Sequence, residues 1–179
     1  MKEGCLLCQI AAEKIPSYKV YEDDLVIAVL DVNGANPGHC FVMPKEHYPI
    51  LEQVPDNVLG NLFIAANKIS SAIFEALKVQ GTNIFLRNGI PAGQTVAHFM
   101  INVIPRQEND GVNLQWKPKQ LNEEELSTVE LKFKEEIKNT GVRAIESTPK
   151  VETASKETTA EPVIDDEDDY VMKQLKRIP

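Results

Sequence analysis

The chain has 179 residues, 42% of them hydrophobic and 26% charged, with a formal net charge of −8. That length holds one domain with extensions rather than two full domains, and the apolar share is enough for a packed core. An acidic surface repels phosphate backbones, which argues against broad nucleic-acid binding and requires any anionic ligand to be held by local donors.

The first residues, Met1-Lys2-Glu3-Gly4-Cys5, carry a charge of each sign and no long apolar stretch follows, so no secretory leader is expected. Residues 5–12 predict a short helix. Residues 18–21 and 25–30 predict two strands, joined as a hairpin by Glu22-Asp23-Asp24. Asn33-Gly34 and Asn36-Pro37-Gly38 mark a loop, after which residues 41–43 continue as a strand and stop at Pro44. Residues 56–78 are the clearest helix. Val58, Leu62, Ala65, Ala66, Ile69, Ile73, Ala76 and Leu77 recur at helical spacing, Pro55-Asp56 suits the start and Gly81 the end. This is also the most apolar stretch, but Asn67, Lys68, Ser70, Ser71 and Glu75 interrupt it, so no membrane span is expected. Residues 82–87 and 97–104 predict strands around a loop at 88–93. Short strands with one long helix imply an α+β fold with a mostly antiparallel sheet.

Beyond this domain, residues 1–117, the composition changes. Residues 118–141 predict a helical extension: Asn122 and Glu125 have capping-box spacing, Leu126, Val129, Phe133 and Ile137 form one narrow stripe, and Gly141 closes it. The stripe is expected to pack on the domain or on a partner. Residues 142–164 are rich in Thr, Ser, Glu, Lys and Ala with no apolar period, the composition of a flexible linker. In residues 165–179 an acidic run precedes Val171, Leu175 and Ile178, which share a helical face, and Lys176 and Arg177 follow at the end that favours cations. This tail reads as a docking peptide for a protein partner or for the chain's own domain, against the plainer alternative of a solvated acidic tail.

Three cysteines, Cys5, Cys8 and Cys40, make no disulfide framework, and a cytoplasmic location is expected. Cys5-x-x-Cys8 suits a metal site or a redox pair, or simply two buried thiols. His39, His47 and His98 are the chain's three histidines, and two cysteines with two histidines are a common tetrahedral zinc set. Spacing alone does not say which histidines meet the cysteines.

The segment Gly93-Gln94-Thr95-Val96-Ala97-His98-Phe99-Met100-Ile101-Asn102-Val103-Ile104-Pro105-Arg106 resembles the signature of the histidine triad family, a Gln-Ser/Thr-Val followed by three histidines separated by single apolar residues. Gly4-Cys5-Leu6-Leu7-Cys8-Gln9-Ile10, Val29-Leu30-Asp31-Val32 and Pro37-Gly38-His39-Cys40-Phe41-Val42-Met43-Pro44-Lys45-Glu46-His47 agree with it in order, and Asp110-Gly111 and Trp116 resemble its continuation. The resemblance implies a sheet with one long helix, a homodimer across that helix and a sheet edge, and a purine-nucleotide pocket. It implies a structural zinc on Cys5, Cys8, His47 and His98, with the second nitrogen of each imidazole on a carbonyl or carboxylate. It implies that Asp31 accepts ribose hydroxyls, that Gly93, Gln94 and Thr95 contact phosphate, and that Asn88 orients phosphate or sugar. Without it, Asp31 is a turn carboxylate and the others are ordinary loop residues. Ile10, Leu30 and Val32 line the base pocket or belong to the core.

The departure from the signature matters equally. In a strand His98, Met100 and Asn102 share one face. The family's nucleophilic histidine is Met100 here, and its third histidine is Asn102. A thioether has no proton to shed and cannot form the nucleotidyl-histidine intermediate, and an amide does not titrate near neutrality. The expected function is therefore a purine-nucleotide-binding pseudoenzyme acting as sensor or adaptor. Two alternatives stay open: a divergent nucleotide hydrolase or transferase using His39 or another group, and a structural dimeric interaction module.

Overall fold

The computed structural model describes residues 2–140. In chain order the elements are helix α1 (Leu6–Ala11), strands β1 (Lys19–Glu22), β2 (Val26–Leu30) and β3 (Cys40–Pro44), helix α2 (Asp56–Leu77), strands β4 (Gly81–Leu86) and β5 (Ile101–Arg106), and helix α3 (Glu123–Asn139). The five strands form one antiparallel sheet in the order β1-β2-β3-β5-β4. The fold is the expected α+β arrangement.

Alternation along the strands divides the apolar side chains between two layers. On one face Val26, Ala28, Cys40, Val42, Phe99, Ile101 and Val103 pack against Val58, Leu62, Ala65, Ala66, Ile69 and Ile73 of α2. On the other, Ile27, Val29 and Met43 pack with Leu7 of α1, and Met100, Phe41 and Ile10 border that cluster. β2 therefore reads as a continuous apolar run, because both its faces are covered. Cys40 belongs to the α2 layer, where burial pushes its thiol up to about 11.

The strand expected over 97–104 is shifted. It begins at Ile101 and runs to Arg106. The His98 amide donates back to Val96 O (2.8 Å) and the Phe99 amide to Tyr48 O (2.6 Å), so neither joins the ladder. At the other end Pro105 does not stop the strand. The last β3–β5 pair is Cys40↔Val103, so by Pro105 only β4 lies alongside and β5 is locally an edge. Helix α2 ends at Leu77, within one residue of the expected 56–78, and Lys78 rather than Gly81 takes the left-handed cap at φ 52°.

Residues Met1–Trp116 form one compact unit, and a second begins at Lys117. Within the second, α3 opens with the capping box: Asn122 Oδ1 accepts from the Glu125 amide (2.8 Å) and Glu125 Oε2 from the Asn122 amide (3.0 Å). No residue of α3 is buried, and Leu126, Val129, Phe133 and Ile137 are exposed. The expected linker and docking tail lie outside the described residues. Among the described residues, no helix is long and apolar enough to cross a membrane.

Two glycines should respond oppositely to alanine. Gly38 has φ +87°, and a Cβ there would collide with Leu77 Cδ1 and stand 3.2 Å from Pro105 Cγ. Gly38→Ala should destabilise the protein by about 1–3 kcal/mol in urea unfolding. Gly60 lies inside α2, and a Cβ there would meet nothing within 4 Å, so Gly60→Ala should stabilise by about 0.4–1 kcal/mol. Equal effects at the two sites would contradict this packing.

Candidate metal centre and ligand pocket

Cys5 caps the start of α1 and Cys8 follows inside its first turns; His47 lies just after β3 and His98 just before β5. The folded chain brings all four together. Cys8 Sγ is 3.4 Å from His47 Nδ1 and 3.5 Å from His98 Nδ1, and Cys5 Sγ is 3.5 Å from His98 Nδ1. The four ligand atoms lie within 4.8 Å of one another. A tetrahedral ion with sulfur at about 2.3 Å and nitrogen at about 2.0–2.1 Å has ligand–ligand edges of about 3.3–3.8 Å. The cluster fits such an ion and could hold a metal. All four donors come from the chain, and two thiolates would neutralise a divalent charge.

The surroundings suit ligation. His98 Nε2 donates to Pro44 O (3.0 Å), which leaves Nδ1 as a lone pair facing the cysteines. The expectation of a matching partner for His47 does not hold: its Nε2 is buried without a hydrogen bond among the described residues. Burial lowers the pKa of both His98 and His47, keeping them neutral lone-pair donors. Burial raises that of the Cys8 thiol, although the Lys2 amide donates to its sulfur at 3.4 Å.

Farther along the same face stand Met100 and Asn102. Asn102 Oδ1 is 3.2 Å from His39 Nε2, and His39 Nδ1 accepts from the Ala35 amide at 3.0 Å. A backbone N–H only donates, so Nδ1 bears the lone pair and Nε2 the proton, which it gives to Asn102 Oδ1. Both nitrogens of His39 are thus engaged, and the Asn102 amide nitrogen keeps its two donors. Asp31 Oδ2 lies 3.8 Å from His39 Nδ1, but two acceptors face each other there, so this is not an ion pair. Asp31 Oδ1 accepts from the Asn33 amide (2.9 Å). Leu30, Asp31, Val32, Gly34 and His39 line a cavity of about 310 Å³. Leu30 and Val32 are therefore pocket residues, whereas Ile10, within α1, packs against the cluster of Leu7, Ile27, Val29 and Met43.

A support for this loop had no signal beyond Asp110-Gly111 in the sequence. Asp110 takes two bonds from the Arg106 guanidinium (2.6 and 2.8 Å) and one from Asn36 Nδ2 (2.9 Å), which also donates to Pro105 O (2.8 Å). The Arg106 guanidinium and two backbone amides hold the Asp110 carboxyl well below the usual carboxylate range.

The loop before His98 divides its labour. Gln94 accepts from the Gly89 amide (2.8 Å) and donates to Pro49 O (2.6 Å) and Val96 O (2.9 Å). Asn88 accepts from the Leu51 amide (2.9 Å) and donates to Glu52 (2.7 Å). Both amides bind the protein itself in this structure. Gly93, at φ +84°, turns the chain; its amide and that of Gln94 are used within the turn. Thr95 is exposed, has no hydrogen-bond partner among the described residues, and lines a cavity of about 390 Å³ with Cys5, His47 and Val96.

Metal uptake must displace the Cys8 proton, whereas the imidazoles are already neutral. Occupancy in competition with a chelating dye should therefore fall as pH drops from 8 to 6. Cys8→Ser should weaken binding by more than the roughly 10–100-fold that loss of a supporting partner costs. Undiminished metal content in Cys8→Ser would show that the ion sits elsewhere.

The HIT domain family matches residues 12–109. An adenylylsulfatase of Arabidopsis thaliana is 37% identical over 110 residues, which is 62% of this chain and 56% of that protein, so the chain spans little more than half of it. A Streptococcus mutans protein of known crystal structure superposes with a TM-score of 0.73 at 36% identity, covering 76% of this chain and 87% of its own. A zinc-bound histidine triad family protein of Mycobacterium smegmatis superposes with a TM-score of 0.60 at 30% identity, covering 65% and 84%. The family match extends over more than half of the sequence and the fold agrees with it: this chain belongs to the HIT domain family.

Proposed function

We propose that the chain is a purine-nucleotide-binding HIT protein that holds a structural zinc on Cys5, Cys8, His47 and His98 and has given up the family's covalent chemistry, acting as a sensor or adaptor. The observation that carries this reading is the pair Met100 and Asn102 on the face where catalysis needs two imidazoles. The nearest remaining imidazole, His39, has both nitrogens engaged, which counts against its use as a substitute nucleophile. The zinc, when bound, supplies a fixed tetrahedral anchor; the zinc-bound mycobacterial neighbour supports that choice of metal.

The chain's own groups suit binding. Asp31 offers a carboxylate oxygen to sugar hydroxyls beside the apolar Leu30 and Val32. The Asn102 amide donates into the same face, and the Thr95 hydroxyl is open to a ligand. The plant relative's action on an adenylyl compound supports a purine ligand. The homodimer implied by the family finds support in exposed Phe63, Ile64, Phe74 and Leu77 of α2 and Ile84 of edge strand β4.

Calorimetry should detect purine nucleotide binding that Asp31→Ala abolishes, with no hydrolysis of nucleoside phosphoramidates. Losing proton transfer alone removes about 10²–10⁴-fold in rate. Met100→His with Asn102→His should restore some turnover. Robust hydrolysis by the unmodified protein, abolished by Asp31→Ala, would refute the pseudoenzyme reading.

The tail at residues 165–179 is proposed to dock a partner protein. Its deletion should leave zinc content and melting temperature unchanged and remove a pull-down partner. A large drop in melting temperature with interactions intact would assign the tail to the fold instead.

A further inference from the structure

An asparagine followed by glycine is prone to lose its side-chain amide, because glycine carries no side chain to keep its main-chain nitrogen away from the neighbouring Cγ. The chain contains this pair twice, at Asn33-Gly34 and at Asn88-Gly89. The fold treats the two oppositely. Around Asn88 every reacting group is held. Oδ1 accepts from the Leu51 amide (2.9 Å), Nδ2 donates to Glu52 (2.7 Å), and the Gly89 amide donates to Gln94 Oε1 (2.8 Å). Attack by the Gly89 nitrogen on Asn88 Cγ has to break these bonds first.

Asn33 has no such clamp. It is exposed, and its side chain has no hydrogen-bond partner among the described residues. Its main-chain amide donates to Asp31 Oδ1 (2.9 Å), and the Gly34 amide donates to Asp31 O at 3.2 Å, the long end of the hydrogen-bond range. That one long bond, in a surface loop, is what holds the Gly34 nitrogen back from Asn33 Cγ, and local opening releases it. Position 34 is also where the loop has least room. A Cβ on Gly34 would stand 2.7 Å from His39 Cβ and 3.1 Å from Asp31 O. The close approach to His39 therefore requires the glycine that makes Asn33 reactive.

We propose that Asn33 is a site of spontaneous modification, at which the folded protein converts an amide to a mixture of aspartate and isoaspartate and so ages its own pocket loop. The Gly34 main-chain nitrogen gives its proton to the buffer and attacks Asn33 Cγ. A C–N bond forms, the Cγ–Nδ2 bond breaks, and the leaving nitrogen takes up a proton and departs as ammonia. Water then opens the resulting succinimide at either carbonyl. One opening leaves aspartate. The other leaves isoaspartate, in which the main chain runs through Cβ and is one carbon longer. Both products add a carboxylate between Val32 and Gly34, which line the cavity that also contains Asp31. Isoaspartate in addition inserts its carbon where Gly34 already abuts His39, in the turn closed by the Ala35–His39 bond (3.0 Å). The reaction needs no ligand in the cavity and is independent of the nucleotide-binding reading above.

The test is peptide mapping by mass spectrometry of the full-length, zinc-loaded protein aged in mildly alkaline buffer, once folded and once in denaturant. The two sites fall in separate tryptic peptides, 20–45 and 88–106. In the folded protein Asn33 should convert about tenfold or more faster than Asn88, the scale of one or two net hydrogen bonds. In denaturant the two rates should converge. Glu52→Ala should speed conversion at Asn88 and leave Asn33 unchanged. Peptide 20–45 from the aged protein should accept methyl groups from an isoaspartyl methyltransferase. The aged protein should also melt below Asn33→Asp, which gains the charge without the extra carbon. If Asn33 in the folded protein converts as slowly as Asn88, the assignment of the site is overturned. If isoaspartate forms but the aged protein melts with Asn33→Asp, the claim that the added carbon disturbs the loop is overturned.

Discussion

The site depends on the imidazole of His98. Its Nε2 donates to Pro44 O and its Nδ1 faces the sulfurs of Cys5 and Cys8. One ring thereby ties the end of β3, the approach to β5 and helix α1. The ring is fully buried, so the bond to Pro44 carries a geometric constraint as well as energy. An unpaired imidazole nitrogen there would cost about 1–3 kcal/mol. With His98 fixed and Phe99 seated in the α2 layer, alternation leaves Met100 and Asn102 no face but the one opposite α2. This constraint gives a physical reason to keep one histidine of a triad whose other two positions hold Met and Asn. His98 serves the architecture, whereas the other two positions lie on the face proposed to receive a ligand.

The second half of the site is organised by hydrogen-bond direction. Because the Ala35 amide must donate, the tautomer of His39 follows, and from it the orientation of Asn102. An amide at position 102 matches a proton donor from His39 without needing to titrate. The loop that presents Asp31 and His39 is in turn secured by Asn36, which bonds Pro105 O and the Asp110 carboxylate clasped by Arg106. Chemistry that moves protons needs groups that change state near neutrality. At positions 100 and 102 this face carries a thioether and an amide, which do not.

Much of this was legible in the sequence. The helical spacing of Val58, Leu62, Ala65, Ala66, Ile69 and Ile73 predicted α2 and its buried side, because one stripe of a helix must face a sheet. Asn122 and Glu125 predicted the cap of α3, a contact between residues three apart. The ordered motifs around Cys5, Asp31, His39 and His98 indicated the family, and the substitutions Met100 and Asn102 were visible by inspection. What these share is locality: period, turn chemistry and short motifs act within a few residues.

The tertiary structure decided the remainder. The segment 98–100 left the ladder because the Phe99 amide found Tyr48 O. Asn88 and Gln94 turned inward because Leu51, Glu52 and Pro49 offered them partners some forty residues away in sequence. His47 kept a buried nitrogen without the expected partner. In each case a hydrogen bond or a neighbour is chosen by which distant groups the packed sheet brings within about 3–4 Å, and no local pattern of residues encodes that distance.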